Sequence, residues 1–351
     1  MDRVIPELLI WYKNNARDLP WRNTQDPYRI WVSEIILQQT RVEQGLSFYM
    51  NFINNFNDFC QLASAPEDAV LRIWQGLGYY SRARNMMKAA EIVCAQHGGK
   101  MPCSHNEILA LPGIGPYTAA AIASFAFGLP IPALDGNVRR VGSRFLGLTD
   151  VLGSSSSDKL IFDYLKSFIA KTDAGIFNQA MIEIGARICK PQNPLCAECP
   201  LSEQCVAFQK GLQHELPIVL RKKPPTDSHI DYLWLEADGH TWLKKRDLSG
   251  IWKGLYEFPS KTAENEKSLV FPFDEWLKDS EKARILSVSE YKHQLTHRTI
   301  YARLWHLSTS LNNIVGKKEF IQIKSASIEA YPVHRLMLKF LEKNETKTNH
   351  D

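Results

Sequence analysis

Four cysteines lie close together in the chain and form its most informative chemical pattern. They have the spacing C-x6-C-x2-C-x5-C and are Cys189, Cys196, Cys199 and Cys205. Thiolates gathered in one short loop can wrap a single metal centre, and both zinc and iron–sulfur clusters accept four cysteine ligands. The spacing predicts a metal site and leaves the metal open. The remaining cysteines, Cys60, Cys94 and Cys103, are scattered, and we expect inert thiols.

A glycine turn between two predicted helices is the second chemical pattern. The segment LPGIGPY, residues 111–117, contains Gly113 and Gly115. Such a turn exposes backbone N–H groups at the start of the next helix, where the helix dipole also favours an anion. The segment is therefore a candidate phosphate-binding turn that does not depend on base sequence, with a plain inter-helix turn as the alternative.

Two carboxylates on predicted helical elements could do acid–base chemistry. Asp135 follows Tyr117 by 18 residues, in a Gly- and Pro-containing loop before a helix, where aspartate is a standard N-cap. Glu34 lies on a helix that the Asp26-Pro27 start predicts to run to about Val42. A 3.6-residue period would put Glu34 on one face with Gln38 and Arg41.

The elements that must position these residues are mainly helical through residue 215. The pattern of apolar residues and Gly/Pro breaks predicts helices at 26–42, 66–75, 80–95, 105–110, 116–127, 136–147, 158–170 and 175–188. The Pro- and Lys-rich segment 216–226 reads as an extended linker. We therefore predict a mainly α domain over residues 1–215.

Beyond the linker, the sequence pattern becomes typical of β-strands, and a second domain is predicted over 227–343. Alternating segments 230–237 and 241–245 flank the turn pair Asp238-Gly239, which indicates a hairpin. A further strand is predicted at 299–307 and an amphipathic helix at 331–341. The second domain is therefore predicted as α+β, and residues 344–351 as a disordered tail.

The composition limits the class of protein to which the chain can belong but does not indicate a function. The 351 residues carry 42 Lys and Arg against 38 Asp and Glu, a net charge of +4, and 44% apolar residues, which is ordinary for a globular protein. No apolar run reaches the ~18 residues of a membrane helix, and residues 1–6 lack the plan of a secretion signal. We expect an intracellular monomer without membrane contact, cytoplasmic and nucleoid-associated in a bacterium.

The glycine turn followed at this distance by Asp135 resembles the helix-hairpin-helix–Gly/Pro–Asp superfamily of base-excision DNA glycosylases. The cysteine spacing matches the [4Fe–4S] loop shared by endonuclease III and the MutY-type adenine DNA glycosylases, which implies a [4Fe–4S] cluster on the four cysteines. The segment WVSEIILQQTRV, residues 31–42, resembles the MutY signature, and endonuclease III lacks a second domain. The chain is identified by this resemblance as a member of the MutY-type family.

The resemblance implies roles for four residues of a catalytic centre. Glu34 would protonate adenine at N7, and Asp135 would stabilise the oxocarbenium-like sugar, electrostatically or through a transient bond. Tyr117 and Asn137 would position these groups and the attacking water. The lyase branch has a lysine nucleophile where this chain has Tyr117, so the family likeness implies hydrolysis of the glycosidic bond without an efficient lyase step.

The resemblance also implies how DNA is held. Trp21 and Arg22 would surround a flipped adenine, and Gln179 would read its N6 and N7. A further set would contact the helix around the mispair, with Tyr79 intercalating and Gln39, Thr40 and Leu77 near the opposing base. Leu295, Thr296 and His297 align with a Phe-Ser-His loop that recognises 8-oxoguanine, in a Nudix-like domain. The acidic run of a working Nudix hydrolase is absent, so we expect no pyrophosphatase activity and no metal there.

The activity implied is an adenine DNA glycosylase acting on double-stranded DNA with A:8-oxoguanine or A:G mispairs. An endonuclease III-like glycosylase/lyase for oxidised pyrimidines is one alternative, and Tyr117 argues against it. A non-catalytic DNA-binding scaffold with a structural metal is the other, and the pair of Glu34 and Asp135 argues against that.

Overall fold

The structure is a computed structural model that describes residues 4–220, 224–262 and 271–348. The chain forms two compact units. One consists of Met1–Ser64 with Asn85–Arg221, and the other of Ala65–Arg84 with Lys222–Asp351. The second unit therefore takes a segment from the middle of the region that the sequence assigns to a single domain over 1–215.

Seven of the eight helices predicted up to residue 220 are present to within three residues at each end, and the segments 4–15, 42–55, 59–64 and 206–209 are helical without having been predicted. Twelve α-helices are described in this part of the chain. They are α1 Val4–Asn15, α2 Pro27–Ile36, α3 Val42–Asn55, α4 Phe59–Ser64, α5 Glu67–Ile73, α6 Ser81–His97, α7 His105–Ala110, α8 Pro116–Phe127, α9 Gly136–Leu146, α10 Ser155–Ile169, α11 Ala174–Arg187 and α12 Val206–Gln209. Apolar side chains of α1, α9, α10 and α11 pack into one core. At the α9–α10 crossing, a Cβ on Gly142 would lie 2.7 Å from the side chain of Ile161, so only glycine allows this approach.

The second helix ends earlier than expected. Leu37 closes α2 by donating its N–H to the Ser33 carbonyl at 2.9 Å, and Gln39 then adopts a left-handed φ of 64°. A new helix starts at Val42. The expectation of one helix over 26–42 is wrong in its second half, because the helix ends at Ile36 and the turn at Gln39 redirects the backbone.

The second unit is built on a mixed sheet, which confirms the α+β prediction. Its strands are β1 Thr226–Ala237, β2 His240–Lys245, β3 Tyr256–Glu257, β4 Ser260–Thr262, β5 Arg284–Gln294, β6 Arg298–Thr309 and β7 Ile321–Lys324. The order along the sheet is β3-β2-β1-β6-β5, with β4 on β1 and β7 on β2. The central pair β1–β6 is parallel, and apolar cores lie on its two faces.

Helix α13, Arg335–Thr348, closes one of these cores. The tail was expected to be disordered from residue 344, whereas the helix continues to Thr348; residues 349–351 lie outside the described part of the chain. The expected linker 216–226 begins as packed chain, since Leu216 is buried and Ile218 bridges to Val151. Residues 221–223 of that linker also lie outside the described ranges.

Segment 65–84 is held in the second unit by polar contacts as well as by packing. The Asp68 carboxylate accepts from Lys245 Nζ at 2.7 Å and from the Tyr256 hydroxyl at 3.2 Å. The Gln75 amide oxygen accepts from the Val333 N–H at 3.1 Å. These contacts explain why the unit boundary departs from a single break near residue 215.

Two further observations bear on the sequence expectations. Cys60 and Cys94 form a disulfide in the first unit, with their Cα atoms 5.7 Å apart, so these two are not free thiols; Cys103 is free and exposed. No helix within the described ranges is both long and apolar enough to span a lipid bilayer.

Candidate active site

A single cavity of about 1110 Å³ in the first unit collects most of the candidate residues. It is bounded by the ends of α2, α8, α9 and α11 and by the turn between α2 and α3. Its walls include ten of the side chains or glycines selected from the sequence: Trp21, Arg22, Glu34, Gln39, Thr40, Gly115, Tyr117, Asp135, Asn137 and Gln179. Residues from five separate segments thus converge on one space large enough for a nucleotide base.

Glu34 lies on α2 with only 9% of its surface exposed. The pKa of Glu34 is raised to about 7, mainly by burial and in smaller part by the negative charge of Asp135, although the Tyr117 hydroxyl opposes this shift by donating a hydrogen bond to the carboxylate. Near neutral pH, Glu34 is therefore poised to give up a proton.

Asp135 sits at the N-terminus of α9 as its N-cap. The carboxylate accepts the Val138 N–H at 2.7 Å and the Asn137 side-chain amide at 2.8 Å. Burial raises the pKa of Asp135, and these donors oppose that rise because they favour the anion. Asp135 therefore has two roles at once: it is the N-cap that the sequence predicts for this helix, and it places a carboxylate at the cavity.

A hydrogen-bond chain connects Asp135 to the cysteine loop. Arg140 donates to Asn137 Oδ1 at 2.8 Å and to the carbonyls of Gly185 and Cys189, each at 2.7 Å. A Cβ on Gly185 would lie 2.5 Å from Asn137 Cβ. The close contact of α9 with α11 at this glycine fixes where the Asn137 amide lies.

A buried ion cluster lies beside the cavity, since Arg17 and Arg22 are among the residues that line it. Glu183, fully buried on α11, accepts from Arg17 at 2.8 Å and from Arg22 at 2.6 Å. Burial alone would raise the pKa of Glu183, but the hydrogen bonds from Arg17 and Arg22 outweigh it and lower the pKa to about 2. Beside this cluster, the Tyr12 hydroxyl donates to Gln179 Oε1 at 2.6 Å.

Sequence reasoning missed several of these residues. Glu183 is one turn beyond Gln179 on α11, and Arg140 is three residues beyond Asn137 on α9, so helical spacing could have placed both beside a candidate residue. Asn178 was also missed: it is buried, accepts the Ala133 N–H at 3.1 Å and donates to the Ile131 carbonyl at 2.9 Å. Asn178 therefore fixes the loop that leads to Asp135.

The predicted glycine turn is present between α7 and α8. Gly113 has a φ of 79°, and a Cβ there would lie 2.6 Å from Asn85 Cβ, so both conformation and space require glycine. Gly115 is the N-cap of α8 and has no side-chain cap, followed by Pro116 in the first turn. The N–H groups at this helix start therefore have no side-chain acceptor at the cap position.

The four clustered cysteines follow α11 and lie around one loop. None of the four takes part in a disulfide, and the pKa of Cys199 is raised to about 12, mainly by burial and in smaller part by the neighbouring cysteines. Arg144 donates to Cys189 Sγ at 3.3 Å and to the Lys190 carbonyl at 2.7 Å. Within the described ranges, no three His, Cys, Asp or Glu side chains form a group suited to one metal ion. Four unpaired thiols with a cationic donor fit a cluster that takes one thiolate per iron atom.

The remaining candidates belong to the second unit. Tyr79 is 48% exposed, whereas Leu77 is buried, at 8%. Leu295, Thr296 and His297 form the turn between β5 and β6, closed by the hydrogen bond from the Leu295 N–H to the Arg298 carbonyl at 2.7 Å. The hydroxyls of Tyr79 and Thr296 share a hydrogen bond. The structure thus brings the expected wedge residue and the expected recognition turn together within this unit.

Three family models match the chain. The model of the HhH-GPD superfamily of base excision DNA repair proteins covers residues 32–172. The iron–sulfur binding domain of endonuclease III covers residues 189–205, and the NUDIX domain covers residues 232–343. The match of residues 189–205 to the iron–sulfur binding domain supports a [4Fe–4S] cluster rather than zinc, and we take that cluster as the cofactor of this chain.

Proteins similar to this chain include adenine DNA glycosylases from bacteria and mammals. An adenine DNA glycosylase of Buchnera aphidicola subsp. Baizongia pistaciae is 37% identical over 84% of this chain and 83% of its own length. The human adenine DNA glycosylase is 31% identical over 86% of this chain and 66% of its own.

Solved structures support the same fold for the helical unit. A thermostable thymine-DNA glycosylase has a TM-score of 0.53 and 28% identity, over 59% of this chain and 95% of that one. An endonuclease III trapped in a covalent intermediate with DNA has a TM-score of 0.52 and 23% identity. The match covers 60% of this chain and 95% of the endonuclease III chain. Its likeness concerns the fold alone.

Proposed function

Because this chain belongs to the adenine DNA glycosylase family, a family of base-excision repair enzymes that act on DNA, we propose that it removes adenine mispaired with 8-oxoguanine or guanine. The observation that carries the proposal is the pairing of Glu34 and Asp135 at one cavity, where burial raises the pKa of Glu34 to about 7 and hydrogen bonds from Val138 and Asn137 oppose the effect of burial on the Asp135 carboxylate.

Adenine is a poor leaving group, and Glu34 supplies what it needs. With a pKa of about 7, Glu34 is largely protonated just below neutral pH and transfers its proton to N7 of the base. The N-glycosidic bond then breaks, and its electron pair leaves with the neutral adenine. Asp135, held by Val138 and Asn137, stabilises the positive charge that develops on the sugar, either through space or by a transient bond.

Water completes the reaction in this proposal. It adds to the sugar carbon and loses a proton, which leaves an abasic site. Tyr117 cannot form a Schiff base with that sugar, so the enzyme is monofunctional. Tyr117 instead orients the Glu34 carboxyl through its hydrogen bond, and Asn137 orients Asp135.

The base reaches this cavity by leaving the duplex. Trp21 and Arg22 surround it, and Gln179 reads its edge. Tyr79 fills the gap in the stack, and Gln39, Thr40 and Leu77 lie near the opposing base. The N–H groups around Gly113 and Gly115 bind the DNA backbone.

The other parts of the chain take supporting roles in the proposal. The second domain, 227–343 with segment 65–84, recognises 8-oxoguanine through Leu295, Thr296 and His297. The four cysteines hold the [4Fe–4S] cluster, which supplies folding energy to the loop 189–205. We propose that the protein acts as a monomer on DNA in the cytoplasm, associated with the nucleoid in a bacterium.

Base release separates this proposal from its alternative. Duplexes with A:8-oxoguanine, A:G or thymine glycol:A are incubated with the full chain carrying its cluster, with Asp135→Asn as the matched control. We expect adenine release from the first two duplexes only, abolished by Asp135→Asn, and little adduct on borohydride trapping. Cleavage of the thymine glycol strand with a trapped adduct would instead assign a lyase acting on oxidised pyrimidines.

A further inference from the structure

The side-chain amide of Gln179 is held from behind by a residue that does not line the cavity. Gln179 lies on the cavity wall, and its Oε1 accepts the Tyr12 hydroxyl hydrogen at 2.6 Å. Tyr12 itself is 8% exposed and packs in the core of the first unit. The residue that is proposed to read the base is thus connected to a buried phenol on α1.

This hydrogen bond sets the orientation of the Gln179 amide, because it requires the amide oxygen rather than the nitrogen to face Tyr12. If the amide rotated by half a turn, Nε2 would face Tyr12 and donate to the phenol oxygen. The phenol hydrogen would then lose the bond to Oε1, which is the one hydrogen bond that the structure shows for the Tyr12 hydroxyl among the described residues. A buried hydroxyl without an acceptor is costly, so Tyr12 disfavours the rotated amide.

Tyr12 is kept protonated and in place by its surroundings. Burial raises the pKa of Tyr12, with Arg22 opposing and Glu183 adding to the rise, so the hydroxyl remains a donor at all physiological pH values. The Arg22 guanidinium lies over the Tyr12 ring, 5.7 Å from its centre, and Arg22 is fixed in turn by Glu183. The donor is therefore rigid, as a positioning group must be.

We propose that Tyr12 is a positioning residue that fixes the amide of Gln179 and thereby makes the cavity select adenine over hypoxanthine, its 6-oxo counterpart. This inference rests on the proposed function. Oε1 keeps a second lone pair that accepts the adenine N6–H, and Nε2 donates to a ring nitrogen. Since the proposed acid uses N7, that ring nitrogen is N1, whereas sequence reasoning alone suggested N7.

Hypoxanthine presents the reverse pattern on the same edge. It has an acceptor at O6 and an N–H donor at N1, which match the rotated amide and oppose the fixed one. Removing the Tyr12 hydroxyl frees the amide to rotate, and the cavity then accepts both bases. The predicted effect is therefore a loss of selectivity rather than a general loss of rate.

The test measures kcat/KM for adenine and for hypoxanthine, each opposite 8-oxoguanine, with the full chain carrying its cluster. For Tyr12→Phe, we expect the adenine-to-hypoxanthine ratio to fall by roughly five- to tenfold, the range of one net hydrogen bond. Both rates scale with the fraction of active enzyme, so partial unfolding cancels from the ratio.

Two comparisons separate positioning from structural loss. Tyr28→Phe also removes a buried phenol that donates at 2.7 Å, here to the Phe56 carbonyl, and we expect it to leave the ratio unchanged. Gln179→Glu puts oxygen at both ends of the side chain, so there is no orientation to fix. In that background, we expect Tyr12→Phe to change the ratio by less than about twofold.

Each result decides the question. An unchanged ratio in Tyr12→Phe overturns the inference, as does an equal fall in Tyr28→Phe or in Tyr12→Phe on the Gln179→Glu background. If the unmodified enzyme releases no adenine from either mispair, the proposed function itself fails. If it does release adenine but Tyr12→Phe leaves the adenine-to-hypoxanthine ratio unchanged, only the positioning role fails.

Discussion

The Arg140 guanidinium donates to Asn137 Oδ1 over 2.8 Å and at the same time to the Cys189 carbonyl over 2.7 Å. Asn137 in turn donates to the Asp135 carboxylate. One side chain thus joins the start of the cysteine loop to the group proposed to stabilise the reacting sugar. The orientation of the Asn137 amide depends on this contact, because Arg140 can only donate and therefore binds its oxygen.

Replacing Arg140 by lysine keeps the charge and loses the forked donor. We expect Arg140→Lys to lower the single-turnover rate of adenine release by about tenfold to a hundredfold, the loss expected when a supporting hydrogen bond is removed. Arg139→Lys is the matched control on the same helix, because Arg139 pairs with Asp158 at 2.8 Å instead. Iron content and the cluster absorbance of both variants are recorded. Equal rates for Arg140→Lys and the unmodified enzyme would contradict the role of this contact.

The pH dependence of base release should report Glu34. Because the acid form carries the reaction and the pKa of Glu34 is about 7, the single-turnover rate is expected to fall as pH rises through about 7. Tyr117 lowers that pKa through its hydrogen bond, so Tyr117→Phe should move the basic limb to higher pH. A limb that stays in place, or moves to lower pH, would contradict this assignment.

Glu34 should also cost stability at high pH. Its pKa is raised above the ordinary 4.5, so the folded chain binds more protons than the unfolded chain between pH 4.5 and about 7, and stability falls as pH rises through that window. We expect Glu34→Gln to be more stable than the unmodified chain at pH 8 by about 3 kcal/mol, since each pKa unit is worth about 1.4 kcal/mol. The gain should vanish near pH 4.5, as judged by urea unfolding at both pH values.

Glu183 should behave in the opposite way. Its pKa is lowered to about 2, so its contribution is present above pH 4.5 and is lost as pH falls from 4.5 to about 2. We expect Glu183→Gln to destabilise the chain at pH 7 by about 3 kcal/mol, because two guanidiniums lose a buried partner. Asp158→Asn removes a half-exposed pair and is expected to cost at most about 1 kcal/mol. Similar losses in both variants would argue against the buried cluster.

Local sequence signals located only part of the cavity, and the resemblance to a known family supplied most of the other candidates. Gly113 and Gly115 mark a turn that needs glycine, and Asp135 stands where an N-cap belongs. The end of α2 had no such signal: residues 37–42 include neither Gly nor Pro, and Gln39 adopts a left-handed φ of 64° that a residue other than glycine seldom takes. Helix propensity therefore predicted a helix that is too long.

Contacts between distant segments were beyond local patterns. Arg17 and Glu183 are 166 positions apart, and neither shows its partner in the sequence around it. The Cys60–Cys94 disulfide and the transfer of residues 65–84 to the second unit were missed for the same reason. A helix such as α5 has the same apolar period whichever unit it joins, so periodicity identifies the helix but not its neighbours.

The division of the chain has a consequence for its connectivity. The backbone passes from one unit to the other three times, after Ser64, after Arg84 and after Arg221, and the Cys60–Cys94 disulfide ties together the two first-unit segments that flank the inserted part. The second unit is therefore no simple C-terminal appendage. A cut in the chain near residue 221 leaves Asp68 and Gln75, which hold segment 65–84 in the second unit, attached to the first unit, so neither fragment contains a complete unit with all of its contacts.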